Sequence, residues 1–164
     1  MPYPIKNSLL ILVLLLLPHA VAAAQLGQPL VPFKGIELNG QPYDLQTAIG
    51  NKPVFLVFWA SWCPSCWTEV SRINQLAEKY RARGMEFVAV NVGYNDSVER
   101  AEAFVRKTGM TYPTYFDGSN ILSQKYQVLG VPTIIIADKR GIVRFRNFTA
   151  PNISEANFAA LMAD

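Results

Sequence analysis

The spacing of apolar residues along the chain changes between two periods, which predicts strands and helices in turn. Short apolar runs rich in β-branched and aromatic residues are typical of strands buried on both faces. Apolar residues at every third or fourth position, bounded by capping residues and glycine, are typical of helices. The predicted strands are Val54–Trp59, Glu86–Val92, Thr114–Phe116, Val131–Ala137 and Ile142–Phe148. The predicted helices run from Pro64 to a stop at Gly84, over 97–108, from Ser119 to Gln127 and from about Ser154 to Met162.

Two local signals refine this pattern. The alternation from Ile36 to Leu45 around the turn Asn39-Gly40 predicts a hairpin that caps a sheet edge. Asp96 with Glu99 three residues later resembles a capping box, which predicts that the helix over 97–108 starts there. Alternating strands and helices that end in a hairpin and a helix predict an α/β fold with a mixed central sheet and helices on both faces.

The first residues of the chain have the layout of a secretory signal. A basic residue is followed by the apolar run Leu9–Leu17 and by the small residues Ala20–Ala24. Because the run is shorter than the roughly 20 residues of a spanning helix, we favour cleavage after Ala24 over a retained anchor. We therefore predict a signal peptide or N-terminal membrane anchor over 1–24, one globular domain over 25–164, and a periplasmic or other extracytoplasmic location.

Charge and composition exclude several classes of function. The chain carries 15 Lys and Arg against 12 Asp and Glu, a net charge of +3, and the two signs are interspersed. Nothing therefore indicates a nucleic-acid-binding surface. The single histidine, His19, lies in the predicted signal. Because triads, Cys-His pairs and most zinc or copper sites need an imidazole, we predict no metal and no cofactor, and catalysis by thiols, carboxylates and backbone groups.

The segment WASWCPSCW holds both cysteines, Cys63 and Cys66, and all three tryptophans. A disulfide that closes so short a loop constrains the unfolded chain little, which argues against a structural staple. The same spacing suits redox cycling. Cys63 lies where a strand passes into a helix, whose free N–H groups and dipole stabilise a thiolate, and Pro64 fits the first helical turn. Cys66, one turn later, can resolve a mixed disulfide.

FWASWCPSC with its flanking strand and helix, together with GVPT at 130–133, resembles the thioredoxin superfamily. The signal segment, NVGYND, the added helix over 97–108 and FDG at 116–118 resemble the TlpA/ResA-like periplasmic thiol-disulfide oxidoreductases, the branch that includes cytochrome c maturation proteins. The resemblance covers roughly Gly35 to Met162. It implies a three-layer thioredoxin-like domain with an N-terminal hairpin and a βα insertion.

The resemblance also assigns roles to individual residues. It makes Cys63 the nucleophile, Cys66 the resolving thiol and Pro132 the family's cis-proline beside the active site. Val131 could then offer main-chain hydrogen bonds to an extended substrate peptide, with Pro64 also at the substrate-binding surface.

Glu69 and the tryptophans admit more than one interpretation. The buried aspartate of thioredoxin is replaced by Val57. Glu69 either exchanges a proton with Cys66 or is a first-turn glutamate that complements the helix dipole. Trp62 adjoins the nucleophile and is expected to shield it while presenting an aromatic surface to a substrate. Trp67 is either an exposed docking surface or a packing contact, and Trp59 is expected in the core.

The resemblance implies an enzyme that reduces protein disulfides, such as the cysteine pair of apocytochrome c. Its expected partners are a cysteine-containing protein substrate and a membrane thiol-reductant donor, with a possible N-terminal membrane tether. The dipeptide Pro64-Ser65 does not determine the reduction potential, so a dithiol oxidase or isomerase stays open. A non-enzymatic chaperone or adaptor with a thioredoxin fold is a further alternative.

Overall fold

The computed structural model describes residues 24–163. The predicted signal peptide or anchor lies outside the described residues, apart from Ala24. Within the described range no helix is long and apolar enough to cross a membrane.

The described elements follow the predicted order. The strands are β1 (Lys34–Ile36), β2 (Pro42–Asp44), β3 (Val54–Trp59), β4 (Glu86–Asn91), β5 (Thr114–Phe116), β6 (Thr133–Ala137) and β7 (Val143–Asn147). The helices are α1 (Pro64–Arg81), α2 (Val98–Thr108), α3 (Ile121–Lys125) and α4 (Glu155–Met162), with a 3₁₀ turn at Leu45–Thr47.

A mixed sheet of five strands, in the order β5-β4-β3-β6-β7, forms the centre of the domain. β3, β4 and β5 run parallel, whereas β6 is antiparallel to both β3 and β7. Every residue of β3 is buried, as its continuous apolar run predicts. The carboxyl end of β3 leads into the cysteine pair, so a fully buried strand holds the start of the active-site loop in place.

Helices cover both faces of this sheet, which confirms the predicted three-layer arrangement. Successive side chains of a strand point to opposite faces. Trp59 stacks on Phe104 of α2 with ring centroids 4.4 Å apart, whereas its neighbour Phe58 contacts Tyr126, directly after α3, at 5.1 Å. α4 packs on α1 through Phe158, which is buried as predicted together with Leu161.

The helix boundaries correct several predictions. The predicted cap of α2 is wrong: the cap is Ser97, whose hydroxyl accepts a hydrogen bond from the Arg100 N–H at 3.3 Å, while the Asp96 side chain is fully buried. The left-handed conformation of Gly109 ends α2, as predicted. The third helix is shorter than the predicted Ser119–Gln127. β6 starts two residues later than predicted, because the peptide bond before Pro132 is cis and the chain there forms a loop.

Segments from the N-terminal part of the chain cover both edges of the sheet. The hairpin β1–β2 lies beside β5, where the Leu38 N–H donates to the Thr114 carbonyl at 2.8 Å. This confirms the predicted edge cap. At the opposite edge, the Gly27 N–H donates to the carbonyl of Val143 in β7 at 2.9 Å. Neither edge is left as an open template for strand pairing at these positions.

Candidate active site

Cys63 and Cys66 form a disulfide at the start of α1, with Cα atoms 5.3 Å apart. Cys63 is the N-cap residue of this helix, and its sulfur accepts a hydrogen bond from the Cys66 N–H at 3.1 Å. Pro64 occupies the first helical position, where no N–H is needed. The sulfur of Cys63 therefore lies at the positive end of an 18-residue helix, where the backbone favours a negative charge on it.

The cis-proline loop lies against the same sulfur. The peptide bond between Val131 and Pro132 is cis, and the Val131 carbonyl oxygen is 3.4 Å from Cys63 Sγ. The loop is held from within by the Thr133 hydroxyl, which donates to the Gly130 carbonyl at 2.6 Å. The two motifs that are far apart in sequence, WCPSC and GVPT, thus meet at one point.

Trp62 forms one wall of an apolar groove beside the disulfide. Its side chain is 47% exposed, and its indole N–H donates to the Tyr94 carbonyl at 2.7 Å. The groove has a volume of about 580 Å³ and also includes Val131 and Leu129, which is 96% exposed. Cys63 itself is only 2% exposed in the disulfide form. The exposed surface next to Cys63 is therefore formed by the groove and by neighbouring residues, and not by Cys63 itself.

The other two tryptophans pack on one phenylalanine. Trp59 is buried, as predicted, and Trp67 lies across Phe104 with ring centroids 4.4 Å apart. The Trp67 indole N–H donates to the Ser61 carbonyl at 3.1 Å. Of the two predicted interpretations of Trp67, these contacts favour packing, although 38% of the residue is exposed. Its hydrogen bond supports the backbone two residues before Cys63.

Glu69 lies in the second turn of α1, because the helix begins at Pro64. The interpretation of Glu69 as a first-turn residue that complements the helix dipole is therefore wrong. Its carboxylate accepts a hydrogen bond from the Ala150 N–H at 2.8 Å. Glu69 and Cys66 both line a small cavity beneath the disulfide. Glu69 is therefore close to Cys66 and bonded to the backbone at Ala150, and its acid–base role stays a prediction.

A buried carboxylate that sequence analysis treated as a helix cap organises the active-site loop. Asp96 Oδ2 accepts hydrogen bonds from the Ser61 N–H at 2.6 Å and the Asn91 amide at 2.8 Å. Asp96 Oδ1 accepts from the Ser61 hydroxyl at 2.6 Å and the Ser97 N–H at 2.9 Å. Arg100 adds an ion pair at 3.3 Å. Asp96 thereby links the loop after β4 to the residue that precedes Trp62 in the active-site loop.

The hydrogen bonds decide the ionisation of Asp96. Burial alone would raise its pKa, but the hydrogen bonds from Asn91 and Ser61 outweigh that effect and lower the pKa below its ordinary range. The carboxylate is thus charged at neutral pH. The signal in the sequence is Asn91, a polar residue at the end of an apolar strand and the first residue of NVGYND.

Comparison with known proteins identifies the family. The sequence pattern of the AhpC/TSA family matches residues 26–146. The chain belongs to the AhpC/TSA family. It is 32% identical over 133 residues to the thiol:disulfide interchange protein DsbE of Escherichia coli (strain K12), covering 79% of this chain and 69% of that relative. It is 34% identical over 122 residues to the thiol-disulfide oxidoreductase ResA of Geobacillus kaustophilus, covering 74% of this chain and 68% of that relative.

Solved structures show the same thioredoxin-like fold in members of this group. A Chlorobium tepidum protein proposed to be a thiol:disulfide interchange protein, DsbE, has a TM-score of 0.72 and 28% identity, covering 85% of this chain and 99% of the other. A secreted Mycobacterium tuberculosis disulfide oxidoreductase has a TM-score of 0.65 and 23% identity, covering 79% and 92%. The protein is therefore a thiol-disulfide oxidoreductase of the DsbE/ResA type, with protein thiols and disulfides as its substrates.

The structure of this oxidoreductase brings the residues singled out in the sequence to one place. Cys63, Cys66 and the cis-proline loop meet directly, and Glu69 lies behind Cys66. Sequence analysis missed Asp96 and the residues of the groove other than Trp62 and Val131. Within residues 24–163 no group of three or more His, Cys, Asp or Glu side chains is arranged to hold a metal ion.

Proposed function

We propose that this protein reduces disulfides in client proteins outside the cytoplasm, with Cys63 as nucleophile and Cys66 as resolving thiol. The observation that supports this assignment is the position of Cys63 at the N-cap of α1, beside an exposed apolar groove. A hydrogen bond from the Cys66 N–H and the positive end of the helix both stabilise a thiolate on Cys63. Cys66 is the third residue of the helix and is as buried as Cys63, with 3% of the residue exposed against 2%.

The reaction transfers two electrons from the protein dithiol to the client disulfide. The Cys63 thiolate attacks one client sulfur, which forms a mixed disulfide and releases the other client sulfur as a thiolate. Cys66 then loses its proton and attacks the Cys63 sulfur. This step forms the Cys63–Cys66 disulfide and releases the second client thiolate, which takes up a proton. The protein is oxidised and the client is reduced, and an external thiol donor must restore the dithiol.

Glu69 is the acceptor for the proton that Cys66 loses. It is the carboxylate that shares a cavity with Cys66, and its hydrogen bond from the Ala150 N–H fixes the orientation of the side chain. A positioned acid–base group of this kind contributes typically about 10²–10⁴-fold to the rate of a proton transfer.

The client segment lies across the residues that surround the disulfide. Trp62, Pro64 and Val131 form this surface, and Trp62 and Pro64 are exposed, whereas Pro132 is buried and lines the cavity beneath the disulfide. The carbonyl of Val131 is already near Cys63, so an extended client backbone at this loop would place its cysteine against the nucleophile. The client that fits the family is the cysteine pair of apocytochrome c, and the donor is a membrane thiol reductant. The signal-like N-terminal sequence supports an extracytoplasmic location.

A disulfide reduction assay on insulin and on a peptide with a C-x-x-C-H disulfide tests the proposal. Wild type should reduce both substrates, and Cys63→Ser should abolish the reaction, whereas unchanged activity would remove the nucleophile assignment. A measured reduction potential near about −270 mV indicates a reductase, whereas one near about −120 mV indicates an oxidase. Cys66→Ser should trap clients as mixed disulfides. Binding of a partner without any trapped disulfide would instead indicate an adaptor.

A further inference from the structure

The small cavity beneath the disulfide is lined by two residues whose buried polar groups have no hydrogen-bond partner in the described part of the chain. The cavity has a volume of about 10 Å³, counted as the space that the centre of a water molecule can occupy. It lies among residues of β3, α1, α2 and the cis-proline loop. Besides Cys66 and Glu69, its lining includes Trp59 and Tyr112. Trp59 is 2% exposed and Tyr112 is 4% exposed.

The indole N–H of Trp59 and the hydroxyl of Tyr112 are buried and have no hydrogen-bond partner among residues 24–163. Tyr80 and Tyr126, which are also buried, differ in this respect. The Tyr80 hydroxyl donates to the Ile153 carbonyl at 2.6 Å, and the Tyr126 hydroxyl donates to the Val31 carbonyl at 2.7 Å. A buried polar group without a partner costs roughly 1–3 kcal/mol, so two at one cavity require an explanation.

A single water molecule accounts for both groups. The volume of the cavity is at the lower limit for one water molecule, and a buried water needs two to four polar partners. The candidates at the cavity are the Trp59 indole as donor, the Tyr112 hydroxyl as donor or acceptor, the Glu69 carboxylate as acceptor and the Cys66 sulfur. Burial raises the pKa of Tyr112, so its hydroxyl stays protonated and neutral at working pH.

We propose that this cavity holds a water molecule that carries the proton from Cys66 to Glu69, and that Tyr112 is the positioning residue for this water. The inference rests on the proposed function of Cys66 as resolving thiol. During resolution the Cys66 S–H bond breaks as the water accepts the proton, and the water passes one of its own protons to the Glu69 carboxylate. The water is regenerated, Glu69 becomes neutral, and the Cys66 thiolate attacks the Cys63 sulfur.

The two steps can be separated with Ellman's reagent. Attack of Cys63 on the reagent releases a first coloured thiolate, and attack of Cys66 on the mixed disulfide releases the second. Tyr112→Phe should leave the first release unchanged and slow the second about tenfold, because the acceptor remains but the water is no longer held. Tyr126→Phe is the matched control, since it removes the hydroxyl of another buried tyrosine, and it should change neither step.

A double-mutant cycle distinguishes positioning from a structural effect. In a Glu69→Gln background, Tyr112→Phe should cause no further loss in the second release if both residues serve one proton path. Additive losses, or an unchanged second release in Tyr112→Phe alone, would overturn the proposal. An absent first release in wild type would instead remove the proposed function.

A high-resolution crystal structure of the wild-type protein gives a readout that does not depend on the Tyr112 variant folding. It should show an ordered water within hydrogen-bond distance of the Tyr112 hydroxyl. A dry cavity would overturn the proposal.

Discussion

The substitution Asp96→Asn tests whether the buried carboxylate holds the active-site loop. It keeps the shape of the side chain and replaces one oxygen by an amide nitrogen, which cannot accept a hydrogen bond. The Asn91 amide is fixed because its own oxygen accepts from the Gly93 N–H at 2.9 Å. The oxygen that accepts from Asn91 and the Ser61 N–H must therefore remain. The amide nitrogen then replaces the oxygen that accepts from Ser97.

The expected cost follows from the hydrogen bonds that change. The Ser97 N–H loses its bond to a charged acceptor, which is worth about 1.5–3 kcal/mol, and the Ser61 hydroxyl must reverse its direction. The remaining bonds weaken because their acceptor is neutral. Removing a buried charge returns part of this cost. The exposed Arg100 side of the ion pair contributes little. We expect a net loss of about 2–3 kcal/mol in the free energy of unfolding, or a fall of roughly 6–10 °C in Tm.

Urea unfolding followed by tryptophan fluorescence measures this loss. Glu102→Gln, which removes one partner of an exposed helical ion pair, is the control and should change the free energy of unfolding little.

The pKa of Asp96 is lower in the folded state than in the unfolded state. Its stabilisation is therefore complete above the unfolded pKa, about 3.9, and disappears as the pH falls through the folded value. The difference between wild type and Asp96→Asn should shrink below about pH 4. A loss under about 0.5 kcal/mol at pH 7, or a difference that persists at low pH, would refute the reasoning.

Three further substitutions test other parts of the fold and site. Gly93→Ala should destabilise the protein by more than about 2 kcal/mol, because Gly93 has φ +70° and an added Cβ would overlap the Asp117 carbonyl oxygen. A Tm equal to that of wild type in thermal unfolding would contradict this. Asp117→Ala should lower the free energy of unfolding by about 2–4 kcal/mol and speed hydrogen exchange at Leu122 and Ser123, whose N–H groups donate to the Asp117 carboxylate. Unchanged exchange at these two residues would show that α3 is held by other contacts. Trp62→Ala should lower insulin reduction severalfold and cost about 1–3 kcal/mol of stability, since Trp62 is only 47% exposed and its indole N–H donates to the Tyr94 carbonyl. Equal loss of reactivity toward Ellman's reagent would mean that Trp62 acts on Cys63 and not on the client.

The elements that sequence analysis predicted well are those whose environment is uniform along their length. β3 is buried on both faces, so its continuous apolar run is enough to predict where the strand begins and ends. The predicted limits match the structure. The start of α1 at Pro64 was predicted because the apolar period changes there and proline is favoured at the first helical position. The contact between WCPSC and the cis-proline loop was predicted only from the family resemblance, because no local sequence pattern indicates it.

The residues that sequence analysis missed depend on contacts between distant parts of the chain. Asp96 with Glu99 three residues later matches the pattern of a capping box. That pattern cannot show that Ser61, 35 residues before Asp96, has an N–H and a hydroxyl that donate to the Asp96 carboxylate in place of the helix N–H groups. Once Asp96 bonds to Ser61, Ser97 takes the capping position. The cavity beneath Cys66 likewise depends on Trp59, at the end of β3, and on Tyr112, in the loop before β5, and neither aromatic is marked by a local sequence pattern.

The covered edges of the sheet have a consequence for the order in which the domain can form. The segment around Gly27 pairs with β7, and the hairpin at Leu38 pairs with β5, so the earliest residues depend on strands that are synthesised much later. A chain that emerges from a ribosome or a membrane channel with its N-terminus first cannot pair the hairpin until Thr114 has followed, or the Gly27 segment until Val143 has followed. Both N-terminal segments must therefore wait for later strands before their edge hydrogen bonds can form.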